Sequence, residues 1–157
     1  MPFPTRKEDD VSNQRMIRTM LTRLGYSQVT FAADGADALF QYNNLKLDGK
    51  FFDIILLDSS LPTLPGDDTC VRIRQHDRTQ VIISCTASTH LVNDPELRRA
   101  LGYDEAMTKP FHLDGLKEVL ARWCELGDAR RLRHMKRKLR GDAAAAMASG
   151  QGSVAAS

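Results

Sequence analysis

The sequence predicts an α/β fold: a doubly wound, five-stranded parallel sheet with helices on both faces and an irregular first strand. Two short apolar runs, FFDIILLD (51–58) and QVIISCTA (80–87), are rich in Ile, Leu or Val and bounded by turn-forming residues, as buried strands are. Around them apolar residues recur at helical spacing. Strand and helix therefore alternate, and parallel strands joined in this way need right-handed crossovers that bring helices to both faces.

In chain order, the first strand has to be FPTRK (3–7), which carries a proline and two cations where a central parallel strand is apolar. A helix follows with Met16, Met20, Leu21 and Leu24 on one face, then a weaker strand, QVTFAAD (28–34), after Gly25-Tyr26. Ala36, Leu39 and Phe40 mark a second helix ahead of the strand at 51–58. Val71 and Ile73 mark a third ahead of the strand at 80–87. Leu97 and Leu101 belong to a fourth helix, EAMTK (105–109) to a fifth strand after Gly102, and Leu116, Val119, Leu120 and Trp123 to a fifth helix.

A chain of 157 residues suffices for one compact domain with its own core. No apolar run approaches the length of a membrane span, the N-terminus lacks the apolar stretch of a secretory signal, and Cys70, Cys85 and Cys124 are odd in number without metal-ligand spacing. An intracellular, cytoplasmic protein is expected, with buried, reduced thiols. Residues 1–127 hold 15 Lys and Arg against 18 Asp and Glu, whereas residues 128–157 hold 7 against 2. The expected organisation is a domain over 1–127, a basic helical extension over 128–142 and a disordered Ala/Ser/Gly tail over 143–157.

Ligands of open parallel sheets sit beyond the carboxyl ends of the strands, so polar residues there are the ones to inspect. Those ends hold Glu8, Asp9 and Asp10 after the first strand, Asp58 after the third, Thr86 after the fourth and Lys109 after the fifth. Clustered carboxylates repel unless a cation sits among them, and an all-oxygen site suits magnesium. A lysine and a hydroxyl beside them neutralise charge on a transferring phosphoryl group, and a carboxylate is a competent nucleophile for it. Taken singly, each residue reads more simply as a turn, cap or surface position. Their joint occurrence at the strand ends gives them their meaning. His76, His90, His112 and His134 share no ligand spacing.

These residues resemble the receiver domain of two-component response regulators, in the form often attached to hybrid histidine kinases. DSSLPTLPG (58–66) is similar to the family's stretch from phosphoacceptor Asp to Gly, with Leu61 for a usual Met and Pro65 for a usual Asp. CTAS (85–88) resembles the Thr-Ala segment, GYDEAMTKPF (102–111) the closing Lys-Pro segment, and EDDVSNQRM (8–16) the acidic pair with its helix start. The likeness covers roughly residues 8–125 and implies a flavodoxin-like strand order 2-1-3-4-5. It implies Asp58 as phosphoacceptor and magnesium ligand, the Ser60 carbonyl as a second ligand, Asp9 as a direct ligand and Glu8 acting through water. Glu8-Asp9 and Asp9-Asp10 both offer adjacent carboxylates; Asn13-Gln14 and the distance to Gly25-Tyr26 favour the first, with Asp10 the alternate. Thr86 would hydrogen-bond the phosphoryl group and Lys109 would pair with it. The Lys109-Pro110 bond resembles one that is usually cis in the family.

The expected function is that of a signalling domain rather than a turnover enzyme. A histidine kinase or phosphotransfer protein donates a phosphoryl group to Asp58, and a protein-binding surface around the fourth and fifth helices changes. The alternative is a pseudo-receiver, a binding module without phosphorylation, favoured by the polar FPTRK strand. Ala106, three residues before Lys109, replaces the aromatic that serves many relatives as an activation switch. Nucleic-acid binding ranks last for want of a groove-reading motif or stacking aromatics. Only ARRLRHMKRKLR (129–140) offers it a surface. Seven Lys and Arg fall there within eleven residues, Leu132, Met135 and Leu139 lie at helical spacing, and Gly127-Asp128 is expected to break the helix before it; an acidic partner or a nuclear-import receptor is a further reader of such a stretch, and a solvated, partly frayed helix that only raises solubility is the plainer reading of it.

Overall fold

The computed structural model describes the backbone of residues 6–61 and 63–148 and the side chains of residues 14–61 and 63–142. Its elements are helices α1 (Arg6–Arg23) and α2 (Gly35–Leu47), strand β1 (Ile54–Asp58), helix α3 (Gly66–His76), strand β2 (Val81–Thr86), short helices α4 (His90–Asn93) and α5 (Pro95–Leu101), strand β3 (Glu105–Thr108) and helix α6 (Leu113–Ala148). The strands pair in parallel in the order β1-β2-β3, with Asp58 opposite Cys85 and Thr86 opposite Thr108.

Alternation along β1 builds a core on each face of the sheet. Ile55 and Leu57 point into a cluster with Tyr42, Cys70, Ile73 and Tyr103, whereas Ile54 and Leu56 pack with Leu21, Leu116 and Leu120. The α/β class and the double covering of the sheet are therefore present. β2, between two neighbours, is buried along its whole length. Its apolar run follows from that position, since a central parallel strand has no face toward water.

The first two expected strands are not found among the described residues. Arg6 and Lys7, assigned to FPTRK, lie in α1, and residues 1–5 are outside the described set. The physical reason is in the composition: Arg6–Asp10 is five consecutive charged residues with no apolar side chain for a central strand to bury, and Arg, Lys and Glu are good helix formers. QVTFAAD (28–34) runs without sheet pairing. In the expected order its only sheet neighbour is the first strand, and among the described residues no such strand offers it a ladder. A groove of about 970 Å³, lined among others by Val29, Phe31, Ile54, Leu56 and Asp58, opens between this segment and β1.

The expected break at Gly127-Asp128 is also absent, because α6 passes through it without interruption and continues to Ala148. Gly127 is buried where a Cβ would lie 2.8 Å from the Val81 side chain, so the glycine permits close packing rather than ending the helix. Residues 143–148, assigned to a disordered tail, are helical. Alanine is the best helix former, and it fills positions 143–146.

Candidate phosphoacceptor site

β1 and the turn that follows it place Asp58 at the carboxyl edge of the sheet. The Ser60 amide donates to Asp58 Oδ1 at 2.9 Å, closing a turn of the kind Asp side chains favour. The other carboxylate oxygen pairs with Lys109 Nζ. Both side chains are about one-third exposed, at 35% and 33%, so the pair stands at the mouth of the groove within reach of a reactant.

Two local features hold this arrangement. Gly66, the first residue of α3, passes so close to the end of β1 that a Cβ would lie 2.2 Å from the Asp58 carbonyl oxygen. Only glycine fits there, and its place at the end of DSSLPTLPG has a steric cause. Within the same loop Thr63 has φ 66°, a left-handed conformation that a β-branched residue adopts at a cost of order 1–3 kcal/mol. On the other side, the Lys109 amide donates to the Thr86 carbonyl at 2.8 Å, and the Lys109-Pro110 bond is cis.

Thr86 lies one residue beyond Cys85, the register partner of Asp58. Its side chain is buried, and its hydroxyl oxygen accepts from the Ser88 amide at 3.0 Å. Burial pushes the Cys85 thiol up to about 12, so this cysteine beside Asp58 is a protonated, inert neighbour. Sequence reasoning overlooked the Ser60 and Ser88 amides. The signal for both was present, an Asp or Thr two residues before a Ser in a turn.

Ser60 joins Asp58 and Lys109 in lining the groove. Glu8, Asp9 and Asp10 fall in the first turns of α1, not at a strand end, and their side chains lie outside the described residues. Among the described residues no cluster of three or more His, Cys, Asp or Glu forms a metal centre. What is described, one accessible carboxylate and a neighbouring serine, is a set of hard oxygen donors of the kind magnesium takes. No helix among the described residues is long and apolar enough to cross a membrane.

Comparison with known proteins identifies the family. The model of the family described as response regulator receiver domain matches residues 7–121. Two-component system protein A of Emericella nidulans is 33% identical over 116 residues, covering 74% of this chain and 16% of that protein. Sensor histidine kinase RcsC of Salmonella typhi is 35% identical over 118 residues, covering 75% of this chain and 12% of that protein. The chain thus spans a small part of the length of these relatives. Among solved structures, the receiver domain of sensor histidine kinase PA1611 from Pseudomonas aeruginosa PAO1, with a magnesium ion coordinated in its active-site cleft, superposes with a TM-score of 0.61 at 34% identity, over 73% of this chain and 89% of that one. Response regulator protein TrrA from Thermotoga maritima, in complex with Mg(2+)-BeF, gives 0.60 at 26% identity, over 73% and 92%.

Proposed function

Since the chain belongs to the response regulator receiver domain family, we propose that it accepts a phosphoryl group on Asp58 from a histidine kinase or histidine phosphotransfer protein and thereby switches a surface for a protein partner. The observation that carries this reading is the Asp58–Lys109 pair at the carboxyl edge of the sheet, with one carboxylate oxygen fixed by the Ser60 amide and the side chain open to the groove. In the transfer, an Asp58 oxygen forms the new bond to phosphorus, the donor's bond to phosphorus breaks, and the donor imidazole leaves with its electron pair. Lys109 offers a positive charge to the phosphoryl oxygens, and Thr86 a hydroxyl. Magnesium, when bound, neutralises charge on those oxygens. Asp58, the Ser60 carbonyl and Asp9 would hold it, with Glu8 through water and Asp10 as the alternate. The five-strand order 2-1-3-4-5 belongs to the same reading, and the groove beside β1 is the space it needs.

A pseudo-receiver is the competing reading, favoured by one observation: residues 8–10, which would complete the metal site, begin a helix. Intact-mass analysis after treatment with acetyl phosphate, with and without magnesium, separates the two. The proposal expects one magnesium-dependent phosphoryl addition that Asp58→Asn abolishes while circular dichroism stays unchanged. Addition that persists in Asp58→Asn refutes the assignment, and no addition to the wild type establishes the pseudo-receiver.

A further inference from the structure

At the end of the sheet opposite Asp58, a cavity of about 570 Å³ is lined by Arg74, Arg78, Arg99 and Arg130 around Asp104. Arg74 and Arg130 both pair with Asp104, at 2.9 and 2.7 Å, and satisfy that carboxylate. Arg78, just beyond α3, and Arg99 of α5 are exposed, and no ion pair among the described residues neutralises either.

Arg130 also begins a row on α6. Arg130, Arg133, Arg137 and Arg140 fall at i, i+3, i+7 and i+10, so they share one face, and the Arg130 contact with Asp104 turns that face toward the cavity. Every residue from 132 to 142 is exposed, and Arg133, Arg137 and Arg140 have no ion pair among the described residues. At 3.6 residues per turn, Leu132, Met135 and Leu139 lie roughly 150° round the helix from the centre of this row, and Asp128 and Asp142 lie on that far side with them. Between Arg130 and Arg140 the face toward the cavity therefore carries no acidic and no apolar side chain.

We propose that this cationic corner, with Arg78 and Arg99 on the body and Arg133, Arg137 and Arg140 on the helix, binds the phosphate backbone of double-stranded DNA, the exposed stretch of α6 lying in the major groove. What selects the occupant is that charge and apolar surface lie on opposite sides of the helix. An acidic protein helix or a membrane surface is held by apolar burial beside its charges, and here contact with one side gives up the other. A phosphate backbone needs the cations alone, since its affinity comes from counterions released as phosphates are neutralised. It leaves Leu132, Met135 and Leu139 as exposed as they are in the free chain, so they add no cost. A second copy of the chain would bring two cationic faces together. Single strands bind by stacking on aromatics, and Tyr103, the aromatic lining the cavity, is buried. Among duplexes, a B-DNA major groove about 12 Å wide admits an α-helix about 10–12 Å across, whereas the deep, narrow major groove of A-form RNA does not. The surface involves no atom of the Asp58 site and does not depend on phosphorylation.

The test is fluorescence anisotropy on the full chain with a mixed-sequence DNA duplex over a series of salt concentrations. One phosphate contact for each of the five unpaired arginines gives an expected slope of log affinity against log salt of about −4 to −5. Arg133→Gln/Arg137→Gln/Arg140→Gln should make that slope shallower by about 3, and Arg78→Gln/Arg99→Gln by about 2. Arg15→Gln/Lys117→Gln, which removes the same charge elsewhere, should change neither slope nor affinity, and nor should Leu132→Gln/Met135→Gln/Leu139→Gln. All these positions are exposed, so circular dichroism should be unchanged throughout. Absence of binding by the wild type would overturn the proposal. A control pair as damaging as Arg78→Gln/Arg99→Gln would reduce it to attraction by net charge. Loss of affinity on replacing the three apolar residues would assign the helix to a protein partner. Polyglutamate, phosphatidylserine vesicles or an RNA duplex bound as tightly as the DNA would each overturn the assignment to a DNA groove.

Discussion

Lys109 and Asp58 form an ion pair at the carboxyl edge of the sheet, and this sets what each side chain can do. The ammonium neutralises a carboxylate; in the proposed transfer it would face a group of greater negative charge, and the arrival of that charge would move it and the β3–α6 connection that carries it. Lys109→Ala is accordingly expected to leave phosphorylation of Asp58 largely intact while removing most of the accompanying change in amide chemical shifts of α5, β3 and α6. Wild-type shifts in the phosphorylated variant would take Lys109 out of this role. A second carboxylate, Asp77, lies far from that chemistry and acts on stability. Burial pushes its carboxyl up, but hydrogen bonds from Tyr42 at 2.6 Å, from the Thr79 hydroxyl and amide and from Lys46 outweigh burial and hold it well below the usual carboxylate range. The folded state therefore holds fewer protons on this group than the unfolded state does. Its contribution is complete above the ordinary Asp value of about 3.9 and is lost as pH falls from there toward the lower folded value. Urea midpoints of wild type and Asp77→Asn should differ at pH 7, and the gap should narrow as pH falls below about 3.9 toward the lower folded value. A constant gap across that range would show that the carboxylate's charge is not what stabilises the turn. Tyr42 and Asp77 are 35 positions apart, so no local pattern announced the pair.

Among the elements, β2 and β1 differ in what lies beside them. β2 pairs on both sides, whereas β1 pairs with β2 on one side and has the groove on the other among the described residues. Backbone groups facing a groove that admits water exchange through small openings, while those inside a ladder wait for larger ones. Amide exchange by NMR should therefore be slower along Val81–Thr86 than for the β1 amides turned toward the groove. Equal protection would mean that an extended segment pairs there, as the five-strand order requires. The elements legible in the sequence share one property: β1 and β2 are written in apolar residues whose run matches their buried place, whereas the helical spacing found the helices but only part of their inward faces, since Leu21, Ile73, Leu116 and Leu120 are buried while Met16, Phe40, Val71 and Leu97 are exposed. Asp58 and Lys109 were legible because they terminate such runs. The N-terminal region was not. FPTRK was assigned to a strand from what the fold class needs, against its own composition, and the structure follows the composition in placing Arg6 and Lys7 in α1. Gly127 was misread for the opposite reason, as a helix breaker judged on propensity alone. Its buried contact with Val81 is a tertiary reason to keep a glycine within a helix, and a one-residue cost of about 1 kcal/mol does not stop a helix anchored on both sides of it.

At the scale of the molecule, α6 runs from the packed body into a basic stretch, 132–140, in which every residue is exposed, and the last turns that touch the body decide where the domain ends. Arg130 donates to Asp104 at 2.7 Å, and the Asp104 carboxylate also accepts from Arg74 and from the Ile82 amide at the start of β2. Arg131 stacks over Phe51, 3.8 Å from the ring centroid, and its side chain is only 15% exposed. These contacts tie α6 to the amino ends of the strands, so we place the domain boundary just after Arg131 rather than at residue 127. Two truncations distinguish the placements. Ending the chain after Leu126 removes Gly127, Arg130 and Arg131 together and leaves Asp104 with one guanidinium in place of two. The expected loss is on the order of 1–3 kcal/mol, the usual effect of withdrawing a partner from a partly buried charged hydrogen bond. Ending it after Arg131 keeps every one of those contacts and should change the urea midpoint by less than about 0.5 kcal/mol equivalent, as for surface changes generally. Phosphorylation by acetyl phosphate should survive in the longer truncation, since Asp58 and Lys109 lie at the other end of the sheet. Equal stability of the two truncated chains would return the boundary to residue 127 and reduce the Arg130–Asp104 pair to a surface contact.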